Sequence, residues 1–197
     1  MVTVPLRVGV LAMQGAFREH VRALQALGAA PVEVRRPDHL EGLAGLILPG
    51  GESTTIGQLI QDFGLAPAIH ALAAAGKPIY GTCAGMILLA EDVAGSDQYR
   101  LGLMHMRVQR NAFGRQQESF EATLTIPAVG GDPVHAVFIR APYIEAVWGG
   151  CETLATYEGK IVMARQGTFL ATAFHPELTD DLQVHRYFLD MVRAAQA

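Results

Sequence analysis

Short apolar runs alternate with longer stretches of helical period through the first half of the chain. Leu6 to Met13 is a near-continuous apolar run that predicts a strand, ended by Gln14-Gly15. Phe17, Val21, Leu24 and Leu27 then fall on one helix face, and Gly28 stops that helix. Pro31 to Val34 and Gly45 to Leu48 predict two more strands, the second running into Pro49-Gly50-Gly51. Ser53 reads as the N-cap of a helix carrying Ile56, Leu59, Ile60 and Phe63. A helix over Leu65 to Ala75, a strand over Pro78 to Thr82 and a helix over Ala84 to Ala90 follow. Alternation with connections this short implies parallel strands and right-handed crossovers.

The second half has a different rhythm. Ser119 to Ile126 places Phe120, Ala122, Leu124 and Ile126 on one face, the pattern of a half-buried strand. Val134 to Ile139, Glu152 to Tyr157, Ile161 to Arg165 and Phe169 to Phe174 predict further strands, with turns such as Glu158-Gly159 that suit antiparallel hairpins. A closing helix carries Val184, Phe188, Met191, Val192 and Ala195. The expected fold is one three-layer α/β/α domain over residues 1–197, its central sheet mostly parallel with an antiparallel extension.

Composition narrows the function. Half of the 197 residues are hydrophobic and 17% are charged, enough for a sizeable core and incompatible with disorder. Nineteen acidic against fifteen basic residues leave a formal charge of −4, and only Arg35-Arg36 are adjacent, so no nucleic-acid partner is expected. No apolar run approaches the ~18 residues of a membrane span, so no membrane association is expected either. Met1 to Met13 lacks a basic leader. The two cysteines, Cys83 and Cys151, fit a reduced, cytoplasmic compartment, with Cys151 structural. The seven histidines show no metal-ligand spacing.

The sharpest local feature is Gly81-Thr82-Cys83-Ala84-Gly85, between a predicted strand and a predicted helix. G-x-C-x-G is the cysteine form of the nucleophile elbow. A nucleophile projected from a strained turn needs neighbours without bulk two positions away on each side. A helix N-terminus there favours the thiolate and offers the Ala84 N–H to an oxyanion. A small buried cysteine beside two turn glycines fits the same letters. His175-Pro176-Glu177 supplies a base and an orienter. Pro176 keeps His175 out of the helical region, and in an extended chain residues two apart point to the same side. Pro49-Gly50-Gly51-Glu52-Ser53 follows a parallel strand, where open sheets bind ligands, and paired glycines there can turn an N–H towards an oxyanion. Taken singly, this last stretch reads first as a plain loop with a Ser N-cap.

These elements, in this order, resemble class I glutamine amidotransferases, a flavodoxin-like superfamily with a Cys-His-Glu triad. The wider match is to the glutaminase subunits of pyridoxal 5′-phosphate synthase, the PdxT family. It rests on Leu11 to Ala16 with Arg18-Glu19-His20, Pro49 to Thr55, Gly81 to Gly85, and Arg110-Asn111-Ala112-Phe113-Gly114-Arg115-Gln116 with Ser119-Phe120-Glu121. Phe138-Ile139-Arg140-Ala141-Pro142 and His175 to Thr179 complete it. The resemblance implies that Cys83 attacks the side-chain amide of L-glutamine, His175 moves the proton and Glu177 supports the imidazolium. It further implies that Gly51, Glu52, Ser53, Arg110, Ile139 and Arg140 hold the substrate. Gln14, Gly15, Gly51 and Ala84 would form the oxyanion region, the first two only after a partner docks. Without the resemblance, Arg110 and Arg140 read as members of surface ion pairs and Gln14 as a polar strand end. The implied partner is a (β/α)₈-barrel synthase subunit on a dodecameric core, which makes pyridoxal 5′-phosphate from ribose 5-phosphate, glyceraldehyde 3-phosphate and ammonia. Pyridoxal 5′-phosphate is then the partner's product, and no cofactor or metal is expected on this chain.

Three other readings stand beside it. A stand-alone γ-glutamyl hydrolase or peptidase would use the same triad without a partner. A non-enzymatic binding module would have lost a triad member, and none is missing. A flavodoxin-like redox or nucleotide-binding protein would need a Gly-rich phosphate loop after the first strand, which is absent from the sequence.

Overall fold

A computed structural model of the chain describes residues 3–111, 113 and 118–197. Ala112, Gly114, Arg115 and Gln116 of the R-N-A-F-G-R-Q run lie outside the described residues. Strands β1 (Arg7–Leu11), β2 (Ala30–Val34), β3 (Gly45–Leu48) and β4 (Ile79–Thr82) alternate with helices α1 (Phe17–Ala26), α2 (Ser53–Asp62) and α3 (Leu65–Ala74). Helix α4 (Ala84–Leu89) leads directly into β5 (Ala90–Val93) and then β6 (Met104–Gln109). There follow β7 (Ser119–Leu124), β8 (Val134–Ile139), β9 (Tyr143–Val147), β10 (Glu152–Tyr157), β11 (Lys160–Gln166), β12 (Phe169–Thr172) and α5 (Gln183–Gln196).

The main sheet runs β2-β1-β3-β4-β12-β11-β9-β6-β5, with β10 paired to β11. The block from β2 to β12 is parallel throughout, while β11 is antiparallel to β9, β10 and β12. This is the mostly parallel sheet with an antiparallel extension that the patterning predicts. Strands β3 and β4 are buried along their whole length, because helices cover both faces. Tyr80 points to one face, where its ring meets His20 of α1 and His185 and Phe188 of α5. Gly81 points to the other, against α4. The Glu158-Gly159 hairpin turn has both residues at positive φ, as a type I′ turn requires.

Three strands escape the sequence reading: β5, β6 and β9. The helix expected to end at Ala90 stops at Leu89, and Ala90 pairs with Met104 in β5 and β6. The hairpin β7–β8 is a separate two-stranded sheet. Register partners Phe120 and Phe138 stack 4.7 Å apart, and Phe138 packs on Phe174 at 5.7 Å. That aromatic bridge, with His175 N–H donating to the Val137 carbonyl at 2.8 Å, seats the hairpin over the end of β12.

Candidate active site

Four loops leave the carboxyl ends of β1, β3, β4 and β12, which are consecutive neighbours in the sheet. They carry Gln14-Gly15, Gly50-Gly51, Cys83 and His175, and parallel pairing therefore brings residues far apart in sequence to one edge. The cleft there has a volume of about 830 Å³. Gln14, Gly15, Gly51, Glu52, Ser53, Cys83, Ala84, Arg110, Ile139, Arg140 and His175 all line it. Glu177 does not; it is buried behind His175.

The elbow is built by steric necessity. A Cβ on Gly81 would strike the Gly85 backbone, and one on Gly85 would strike the Leu48 carbonyl, so strand and helix can cross only with glycine at both positions. Cys83 between them holds φ 50° and ψ −103°, a costly conformation for a residue with a Cβ. Its N–H donates to the Thr172 carbonyl at 2.8 Å, and its Sγ lies 3.9 Å from the Ile139 carbonyl oxygen. The Ala84 N–H opens α4 and so has no acceptor within the helix.

His175 Nδ1 lies 2.5 Å from Glu177 Oε1. The route to that contact is not the extended one read from the sequence. Pro176–Leu178 forms a single 3-10 turn, and the turn swings the Glu177 carboxyl back under the ring. Burial alone would strip the proton from His175, but hydrogen bonds with Cys83 and Glu177 and their charges outweigh it, raising the imidazole to about 10. A Cβ on Gly50 would overlap this ring, which gives the first glycine of the pair a packing reason.

The remaining cleft residues lock one another. Gln14 Oε1 accepts from the Glu52 N–H at 2.9 Å, and the Ala16 N–H donates to the Gly50 carbonyl at 3.0 Å, joining the loops that follow β1 and β3. The N-cap of α2 is Glu52, whose carboxylate accepts from the Thr54 N–H; Ser53 is the first helical residue instead. Ser53 Oγ accepts from Gln98 Nε2 at 3.1 Å, and Arg110 Nη1 donates to Gln98 Oε1 at 2.7 Å. Arg110 Nη2 also faces Glu52 Oε1 at 3.7 Å, so it belongs to the cleft and to an ion pair at once. Arg140 sits at φ 44°, its N–H donating to the Glu118 carbonyl at 2.6 Å. Gln98 had no signal in the sequence: it lies in a loop, and only the fold brings it between Ser53 and Arg110.

Cys151 is buried away from this edge, and burial together with Glu152 pushes its thiol up to about 11. Among the described residues, no three His, Cys, Asp or Glu side chains gather as a metal site would require. No helix among them is long and apolar enough to cross a membrane. A thiol on a strained turn, an imidazole held protonatable, a buried carboxylate behind it and unpaired helix-start N–H groups are the parts of a nucleophilic acyl-transfer site.

Comparison with known proteins gives concordant matches. The SNO glutamine amidotransferase family matches residues 10–194. Pyridoxal 5′-phosphate synthase subunit PdxT of Moorella thermoacetica is 64% identical over 187 residues, covering 95% of this chain and 100% of that one. The subunit of the same name from Pelotomaculum thermopropionicum is 61% identical, covering 97% and 98%. A crystal structure of a glutamine amidotransferase superposes with a TM-score of 0.90 at 49% identity, covering 94% of this chain and 98% of that one. PurLQS from Thermotoga maritima, at 17% identity and a TM-score of 0.70 over 95% of this chain and 99% of that one, shares the fold.

Proposed function

Since this chain belongs to the SNO glutamine amidotransferase family, we propose that it is the glutaminase subunit of a pyridoxal 5′-phosphate synthase. The observation that carries the reading is Cys83 and His175 lining the cleft, with Glu177 buried behind the imidazole and 2.5 Å from it. The Cys83 thiolate attacks the side-chain amide carbon of L-glutamine, and the carbonyl oxygen becomes an oxyanion facing the Ala84 N–H and the Gly51 loop. Protonated His175 gives its proton to the amide nitrogen, the C–N bond breaks and ammonia leaves. A γ-glutamyl thioester remains on Cys83. Water then loses a proton to His175 and attacks the thioester, the C–S bond breaks, and glutamate departs with the thiolate restored. The Glu177 carboxylate takes no part in the bond changes and stabilises each imidazolium.

Arg110 clamps the substrate α-carboxylate, with Gln98 holding its guanidinium in place. The Gly51, Glu52 and Ser53 backbone and the Ile139-Arg140 strand end meet the rest of the glutamine. One glutaminase domain over residues 1–197 performs this chemistry in the cytoplasm. The ammonia acceptor is a (β/α)₈-barrel synthase subunit on a dodecameric core. Ile139 and Leu178, 39% and 40% exposed, give the cleft mouth an apolar rim for it to cover. Internal transfer keeps ammonia from being protonated in water. In the free subunit the Gln14 side chain is held by the Glu52 N–H, and docking is read as releasing that loop to complete the oxyanion region.

The chemical half of this reading is tested by mass spectrometry with a thiol-directed glutamine analogue, in the presence of the barrel subunit. One equivalent on the Cys83 peptide, prevented by excess glutamine, is expected; labelling that glutamine does not slow would contradict a glutamine site.

A further inference from the structure

Two helices that lie behind the cleft each bring a histidine to the rear of the His175–Glu177 pair. His20 of α1 and His185 of α5 are both fully buried. His20 Nδ1 lies 2.9 Å from His185 Nε2, while His20 Nε2 lies 3.2 Å from Thr82 Oγ1 and 3.7 Å from Glu177 Oε2. That second carboxylate oxygen of Glu177 has no hydrogen-bond partner among the described residues, although the first is bonded to His175. A buried carboxylate with half of its acceptor capacity unmet is expensive, so the nearest donor decides its state.

Proton counting fixes which donor that is. Burial holds His20 well below the ordinary imidazole value and His185 down at about 4, so each ring carries one proton near neutrality. One of the two must donate across the 2.9 Å contact. If His20 Nδ1 donated, its bare Nε2 lone pair would face the Glu177 carboxylate, and His185 Nδ1–H would be a buried donor with no partner. If His185 Nε2–H donates instead, His20 carries its proton on Nε2, aimed between Thr82 Oγ1 and Glu177 Oε2. His185 is then left with a bare ring nitrogen rather than a buried N–H, and Glu177 Oε2 has an N–H facing it at 3.7 Å.

The geometry points to His20 as a positioning residue of the triad: its Nε2–H, fixed by donation from His185, faces Glu177 Oε2 and holds that carboxylate aimed at His175. His185, His20, Glu177, His175 and Cys83 thus form one buried line from α5 to the elbow. This inference deepens the glutaminase reading and rests on the triad named there. Its chemistry is nevertheless testable without any substrate.

The direct test on the unaltered protein is a long-range ¹H–¹⁵N spectrum of histidine-labelled chain at neutral pH. It is expected to show both His20 and His185 protonated at Nε2; protonation of either at Nδ1 overturns the proposal. The functional test is the pH profile of Cys83 alkylation by iodoacetamide, read peptide by peptide. His20→Leu is expected to shift that profile by at least half a pH unit and to lower kcat of glutamate release about tenfold with KM unchanged. His20→Gln, whose amide N–H replaces Nε2–H, is expected to restore most of both. A folded His20→Leu protein with an unmoved profile overturns the proposal, and if that variant does not fold the spectrum decides alone. Absence of glutamate release by wild type with its barrel subunit would count against the glutaminase reading, whereas the alkylation profile reports on the line of residues either way.

Discussion

At the scale of single residues, Cys83 holds a conformation that its own side chain opposes. Positive φ at a non-glycine residue costs about 1–3 kcal/mol and persists here because β4, α4 and the Thr172 hydrogen bond over-determine it. Removing the Cβ relieves that cost. Cys83→Gly is therefore expected to be about 1 kcal/mol more stable than Cys83→Ala by urea denaturation, reversing the usual order of the two residues. Both variants should lose at least a thousandfold in glutamate release. Glu177→Gln leaves the ring in place but removes the charge that raises His175, so kcat is expected to fall at least a hundredfold in steady-state assays. The histidines also shape stability against pH. His175, raised to about 10, contributes stability fully present below pH 6.5 and lost as pH rises through about 10. His185, lowered to about 4, has the opposite sign: its contribution is present above pH 6.5 and lost as pH falls through about 4, roughly 3 kcal/mol. Urea midpoints should thus peak near pH 6.5 and fall off on an acid and an alkaline side, and His185→Gln should make the acid fall shallower. The proposed Cys83, His175 and Glu177 stand out in the sequence because G-x-C-x-G and His-Pro-Glu are patterns that a nucleophile, a base and its orienter would need. His20 and His185 carried a fainter signal, a polar residue at a core position of an amphipathic helix, and only packing α1 against α5 gives it meaning.

At the scale of elements, the elbow and the 3-10 turn decide whether the residues meet. Gly85→Ala drives a methyl into the Leu48 carbonyl, and neither backbone can yield without moving the strand pair. The expected cost is about 3 kcal/mol or more, read as a fall in Tm, with activity lost. Gly28→Ala, at a positive φ but with open space around it, should cost only about 1 kcal/mol. Strands β1 and β3 were readable because they are short, mostly apolar runs that lead into glycine turns. Strand β6 alternates Met104, Met106 and Val108 with polar residues, a true strand pattern weakened by methionine, which has little β preference of its own. Strand β9 is five residues long and exists through its pairing with β6 and β11, so no local window identifies it. The extended geometry expected for His175 to Glu177 failed because Pro176 starts a tight turn as readily as it prolongs a strand.

At the scale of the whole molecule, the fold works as a funnel. Four neighbouring strand ends carry the proposed catalytic residues, Arg110 follows directly on β6, and the β7–β8 hairpin closes one side while leaving Ile139 and Leu178 at the mouth. Much of that plan followed from strand-helix alternation in the sequence, but the hairpin's place above the site depended on an aromatic bridge between distant segments. A mouth rimmed by apolar side chains and a Gln14 loop pinned by the Glu52 N–H suit a subunit that waits for its partner. The measurement that tests this most directly is glutamate release from L-glutamine by the purified chain, alone and with its cognate barrel synthase subunit, with Cys83→Ala as the control. The account predicts near-silence alone, stimulation of at least tenfold by the partner, and no activity in the variant. Equal turnover with and without the partner would contradict it and identify a stand-alone γ-glutamyl hydrolase on the same fold.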